Sequence, residues 1–99
     1  MSKYRRAAKI DTNQPGIVSD LRKLGYSVEL NKDDILVGIN NRTFWYEIKE
    51  PDAISKITGL PRPSEIKDSQ NKLLETWKGH YKIVWTTQMI LDDISEQMK

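Results

Sequence analysis

The chain has 99 residues, 37% hydrophobic and 30% charged, a composition that suits one domain around one core and is too rich in strand and helix formers for a disordered segment. With no cysteine and one histidine it supports neither a disulfide framework, nor thiolate chemistry, nor an ordinary zinc site, so any metal must be held by oxygen ligands. The net charge is only +2, yet four of the 16 basic residues (Lys3, Arg5, Arg6 and Lys9) and none of the 14 acidic ones fall within residues 1–10. That basic arm is either a phosphate-neutralising segment or a solvated tail. No apolar run approaches bilayer-spanning length, and the start, Met-Ser-Lys-Tyr-Arg-Arg, lacks the apolar stretch of a secretory signal, so a cytoplasmic location with no membrane partner is expected.

Asp11-Thr12-Asn13 offers capping side chains, and Pro15 is tolerated in a first helical turn, where its missing N–H would be unpaired anyway. Ile17, Val18, Leu21 and Leu24 follow at helical spacing before Gly25, which predicts a helix over residues 14–24. Three strand-like segments come next: Tyr26 to Leu30, Ile35 to Ile39 and Thr43 to Lys49. Asn40-Asn41 joins the last two, and because asparagine tolerates positive φ the pair suits a tight hairpin turn. Residues 50–65 contain Pro51, Gly59, Pro61 and Pro63 without any period, which marks a long loop, either a functional flap or a mobile connector. A second helix is predicted from Ser64 or Glu65 to Gly79, with Leu73, Leu74 and Trp77 on one side. Tyr81 to Trp85 reads as a short apolar strand. Thr86 or Thr87 then caps a last helix whose Ile90, Leu91, Ile94 and Met98 form a buried stripe. The predicted order is α-β-β-β-α-β-α, an α/β class in a single domain over residues 1–99.

The chemistry follows from the hairpin. A turn centred on Asn40-Asn41 pairs residues placed symmetrically about it, whether the loop holds two residues or four, so that Asp34 faces Glu47. Directly opposed residues share a sheet face, and two carboxylates so placed repel each other unless something binds between them. A divalent cation is the natural candidate. Strand alternation puts Trp45, Glu47 and Lys49 on one face and Phe44, Tyr46 and Ile48 on the other, so Lys49 joins the carboxylates. Two acidic oxygen donors and an ammonium are the ingredients for Mg²⁺-assisted attack of water on a phosphodiester. Lys49 would orient or deprotonate that water, or neutralise charge growing on the phosphorane. The plainer alternative is that Asp34 merely starts a strand while Glu47 pairs with Lys49 or Arg42 at the surface. Asp33 would oppose Ile48 and face away, so it receives no catalytic role.

Gln14 and Gln70 each precede an apolar pair, Ile17-Val18 and Leu73-Leu74, by three and four residues, so each is expected to point toward the sheet and to need a polar partner there. A catalytic patch at the sheet edge would supply one. Glu50 and Asp52 are either ligands of a second cation or solvated loop acids. His80 reads as an exposed turn residue rather than a general base, and Trp45 and Tyr46 as core aromatics rather than base-stacking platforms. Lys56, Arg62 and Lys67, in or near the long loop, are candidate phosphate contacts.

The segment pair Asp34-Ile35-Leu36-Val37-Gly38 and Trp45-Tyr46-Glu47-Ile48-Lys49 resembles the core signature of the PD-(D/E)XK nucleases, especially the small VRR-NUC-like nucleases of phages and their hosts. The run Arg6 to Gln14, the Ser69-Gln70 pair and the Trp77-Lys78-Gly79 ending are similar to the same group, so the resemblance covers almost the whole chain. It implies a restriction-endonuclease-like αβββαβ core with a central mixed sheet flanked by helices. It also implies a Mg²⁺ or Mn²⁺ site with Asp34, Glu47 and the main-chain carbonyl of Ile48 as ligands, Lys49 as a catalytic residue, and Gln14 and Gln70 at or near the site. The implied partner is DNA, branched or flapped, bound by a homodimer. Two departures stand out: the proline expected before the signature aspartate is Asp33, and the usual glycine-rich run ahead of it is shortened to Leu30-Asn31-Lys32.

Overall fold

The computed structural model describes residues 13–32 and 34–99; the basic arm with Lys3, Arg5, Arg6 and Lys9, and the expectation for Asp33, lie outside the described residues. The elements are α1 (Asn13–Lys23), β1 (Ser27–Asn31), β2 (Asp34–Ile39), β3 (Arg42–Ile48), α2 (Asp68–Thr76), β4 (Tyr81–Val84) and α3 (Thr87–Gln97). They build a four-stranded mixed sheet in the order β1-β2-β3-β4. The first three strands form an antiparallel meander, and β4 lies parallel to β3. A parallel neighbour requires a crossover, which the long connection through α2 provides. The molecule is therefore an α/β domain with the expected αβββαβ order and one further helix at the end.

One face of the sheet carries the core. Val28, Ile35, Val37, Phe44, Tyr46, Ile48 and Val84 alternate onto it, and α1 (Ile17, Val18, Leu21) and α3 (Ile90, Ile94) pack against them. Each fully buried side chain of this kind stabilises the fold by roughly 1.5–3 kcal/mol. A slip of one residue would turn β2 and β3 inside out, so the core fixes their register. Two helices cover that face. The opposite face is left to α2 alone, and it is the face that holds Asp34, Trp45, Glu47 and Tyr81.

Local signals explain most boundaries. α1 stops because Gly25, at φ 97°, lets the Tyr26 N–H reach the Leu21 carbonyl (3.0 Å) and the Gly25 N–H reach that of Arg22 (3.1 Å). Asn40 and Asn41 both adopt left-handed φ (51° and 63°), the conformation of a two-residue hairpin turn that matches strand twist. α3 starts at Thr86, whose Oγ1 accepts from the Met89 N–H at 3.1 Å.

Two expectations need correcting. The second helix begins at Asp68, not at Ser64 or Glu65, and ends at Thr76, short of Gly79. Pro63–Glu65 is a separate 3₁₀ turn closed by extended Ile66, and the helix is nucleated from within when Gln70 Oε1 accepts the Lys67 N–H at 3.0 Å. The side expected to be apolar is also more open: Leu73 is half-buried, but Leu74 and Trp77 are 49% and 50% exposed.

The segment 50–65 is a folded flap rather than a featureless connector. Ile54 bridges Pro61, the Ser55 N–H donates to the Leu60 carbonyl at 2.8 Å, and Ser55 Oγ accepts from the N–H groups of Ile57 and Thr58. Its base is tied by the Arg62 guanidinium, which donates to the Asp52 carbonyl at 2.7 Å.

Candidate active site

The hairpin delivers the two carboxylates to each other. Asp34 and Glu47 are register partners across β2 and β3. Because the loop has two residues, Ile39 and Arg42 form the first hydrogen-bonded pair, and alternation makes Asp34–Glu47 a non-hydrogen-bonded pair, the kind with Cα atoms only about 4.5 Å apart. The main chain agrees: the Lys49 N–H donates to the Val84 carbonyl at 2.9 Å, so residues 47 and 49 turn their peptide groups toward β4. Residues 46 and 48 turn theirs toward β2. The Ile48 carbonyl thus faces the strand that bears Asp34, although the Ile48 side chain lies in the core.

Glu47 is buried, at 3% exposure, and Lys49 nearly so, at 9%. The Lys49 ammonium stands 4.0 Å from Glu47 Oε2. This excludes a surface ion pair as the reason for either residue. Arg42, the other proposed surface partner, lies on the far face and donates to the Gln97 carbonyl at the end of α3.

Asp34 is half-buried, and the Trp45 indole N–H donates to its Oδ2 at 3.1 Å. Trp45 sits diagonally across the pair from Asp34 on the same face, within reach of a long aromatic side chain. It packs edge-on against Trp77 (5.2 Å between centroids) and Tyr81 (4.8 Å), which hold the indole in place. Trp45 is therefore not a core aromatic, as its neighbour Tyr46 is; it orients a site carboxylate.

A cleft of roughly 200 Å³ opens over the pair, lined by Asp34, Glu47, Lys32, Lys67, Gln70 and Tyr81 among others. Tyr81, the first residue of β4, is opposite Trp45 in the parallel ladder. Its Oη is buried without a hydrogen-bond partner, the one such side-chain atom among the described residues. Leaving a hydroxyl so placed costs about 1–3 kcal/mol. Burial, and then the negative charges of Glu47 and Asp34, push the phenol far above its usual range, so it stays protonated.

The two glutamines part company. Gln70 is buried in the cleft wall beside the carboxylates, as expected, while its Oε1 caps α2. Gln14 acts at the cleft's edge: its Nε2 donates to the carbonyl of cleft-lining Lys32 at 3.0 Å. Lys32 has φ 57°, a region unfavourable for lysine, so Gln14 fastens a strained turn that leads into Asp34. Asn13, expected only as a capping side chain, has a further part: its amide donates to the Lys49 carbonyl and ties α1 to the end of the site strand.

Among the basic residues, Lys67 is at the cleft wall and exposed, and Lys56 is exposed in the flap. Arg62 is engaged by Asp52 and, at 3.5 Å, by Glu65, so it acts as a strut of the flap. Asp52 is an exposed loop acid. His80 is not a free turn residue: its Nε2 lies 2.6 Å from buried Asp93 Oδ2, which also accepts from Tyr46 Oη at 2.6 Å, with the Lys82 ammonium 3.5 Å from Oδ1. Desolvation raises the Asp93 pKa, but the hydrogen bond from Tyr46 and the proximity of His80 and Lys82 prevail and hold it below the ordinary carboxylate value. This cluster lies on the core face, away from the cleft.

Among the described residues, no group of three or more His, Cys, Asp or Glu side chains is placed to hold a metal. The side-chain acids at the site are then the Asp34–Glu47 pair. Two carboxylates with main-chain oxygen and water are nonetheless a normal donor set for Mg²⁺, which keeps much of its hydration shell. The buried, unpaired Tyr81 hydroxyl beside them shows a polar site with bonding capacity to spare.

No protein-family model, curated protein or solved structure matches the chain. The molecule is an α/β domain with a mixed sheet and a cleft on the face that α2 covers, built around opposed carboxylates with a buried lysine. No helix among the described residues is long and apolar enough to cross a membrane.

Proposed function

We propose that the chain is a metal-dependent DNA endonuclease that hydrolyses phosphodiester bonds with Mg²⁺ or Mn²⁺. The observation that carries this reading is the direct opposition of Asp34 and Glu47 on a shielded face, with the Lys49 ammonium 4.0 Å from Glu47. Such a pair is unfavourable alone and favourable around a cation. Asp34, Glu47 and the Ile48 carbonyl would hold the ion, which when bound polarises a phosphate oxygen and acidifies water. Trp45 keeps Asp34 turned toward its partner. Lys49 supplies positive charge for the phosphorane or aligns the attacking water. Gln70 and Lys67, on the opposite wall, offer donors to the phosphate. The substrates expected are branched or flapped DNA in phage replication or recombination, gripped by a homodimer in the cytoplasm, with Lys56 and the arm residues Lys3, Arg5, Arg6 and Lys9 neutralising further phosphates.

A second reading has one observation in its favour. Since the described acids number only two at the cleft, the domain would instead be a nucleic-acid-binding module of the same fold without catalysis. Incubating the purified protein with linear, flapped and four-way DNA, with and without Mg²⁺ or Mn²⁺, separates the two. The nuclease reading expects metal-dependent cutting that falls at least ~100-fold in Lys49→Ala, the scale of a lost charge-stabilising group. Metal-independent cutting, or an unimpaired Lys49→Ala protein, would refute it. Metal-free binding without any cutting would favour the module.

A further inference from the structure

Tyr81 is the one feature of the cleft that neither packing nor the carboxylate pair explains. Its ring is fixed by edge-on contact with Trp45, 4.8 Å between centroids, on the face shared with Glu47. Phenylalanine would make the same contact. The hydroxyl adds only an unpaired polar atom, buried in the cleft wall, which is a net destabilisation unless a partner reaches it. The position is therefore built for a bound species that offers an acceptor.

The surroundings narrow what that species is. The cleft holds two carboxylates, Asp34 and Glu47, and is otherwise lined by donors, through Lys32, Lys67, Gln70 and Ser69. A phosphodiester, an anion that would suit a cation held by the carboxylates and whose free oxygens accept from the donors, satisfies both. A neutral or cationic ligand leaves the donor wall unmatched. Roughly 200 Å³ holds a phosphate group with a few waters, at about 30 Å³ per water. A phenol donates one hydrogen bond at neutral pH and carries no charge to pair with the neighbouring carboxylates.

We infer that Tyr81 Oη donates a hydrogen bond to a non-bridging oxygen of the phosphate bound in the cleft, making Tyr81 a substrate-contacting residue on the strand next to the one that carries Glu47 and Lys49. The inference rests on the nuclease reading and adds to it a contact outside the carboxylate–lysine set. The hydroxyl gains its partner only when DNA is bound.

Tyr81→Phe tests this through three readouts: thermal stability of the free protein, binding of a fluorescent flapped duplex in Ca²⁺, and cleavage in Mg²⁺. The expected result is a melting temperature unchanged or slightly higher, with cleavage slowed at least ~10-fold and binding weakened, since the deleted atom has no partner in the free protein. Full cleavage and binding by Tyr81→Phe, with an active wild type, would overturn the inference and leave the nuclease reading intact. A melting temperature lowered by several degrees would also overturn it, because the hydroxyl would then have a structural partner. A wild type that neither cuts nor binds DNA would remove the nuclease reading and the inference together.

Discussion

Asp34 and Glu47 meet at the narrow, non-hydrogen-bonded position of the β2–β3 pair, where like charges destabilise each other by about 0.2–1 kcal/mol. Neutralising one of them should relieve that repulsion. Asp34→Asn, which keeps an acceptor for the Trp45 indole, is expected to raise the metal-free melting temperature by up to a few degrees, measured by calorimetry. A decrease would mean that the pair is stabilised by something other than a cation. These two residues and Lys49 were legible in the sequence because a two-residue turn and a two-residue side-chain period are properties of the backbone. Trp45 and Tyr81 were not. The indole reaches a diagonal neighbour through its rotamer, and Tyr81 joins the face only because the crossover sets β4 against β3, which no local pattern encodes. The partner of His80 is hidden for the same reason, since Asp93 reaches it from α3, 13 residues further on.

The hairpin is the element on which the site depends. With Asn40 at φ 51° and Asn41 at φ 63°, the turn occupies a conformation that costs an ordinary L-residue roughly 1–2 kcal/mol. Asn41→Ala should therefore lower stability by about 1 kcal/mol in denaturant unfolding, and Asn41→Gly should match or exceed the wild type; equal values for all three would show that the turn does not set the register. The turn, the Gly25 helix stop and the Thr86 cap were readable because each is written in one or two residues. The start of α2 is not legible because it depends on a glutamine capping from the third helical position, after a proline turn that imitates a helix start. For residues 50–65 the sequence leaves both a functional flap and a mobile connector open, since the order of the segment rests on Ser55, Arg62 and an Ile54–Pro61 bridge spread along the loop.

Across the whole molecule, labour is divided between the two faces of the sheet. The core face is closed by α1 and α3, and Asp93 fastens α3 to the sheet through Tyr46, His80 and Lys82. With its folded-state pKa held below the ordinary 3.8, ionised Asp93 contributes stability that is full above that value and is lost as the pH falls through the lowered one. Asp93→Asn should therefore cost about 2–3 kcal/mol near neutral pH, the range for hydrogen bonds to a charged group, and the melting-temperature gap from wild type should narrow below about pH 4. A gap independent of pH would assign the loss to packing. The other face, closed only by α2, leaves the carboxylates and Tyr81 around an accessible cleft, with Lys49 buried behind Glu47. The most direct test of this arrangement is the rate of DNA cleavage at saturating Mg²⁺ by wild type and by Asp34→Asn. Metal-dependent cutting by the wild type and a rate at least ~100-fold lower in the folded variant are expected; equal rates, or no cutting of any DNA by the wild type, would contradict a metal site at Asp34 and Glu47.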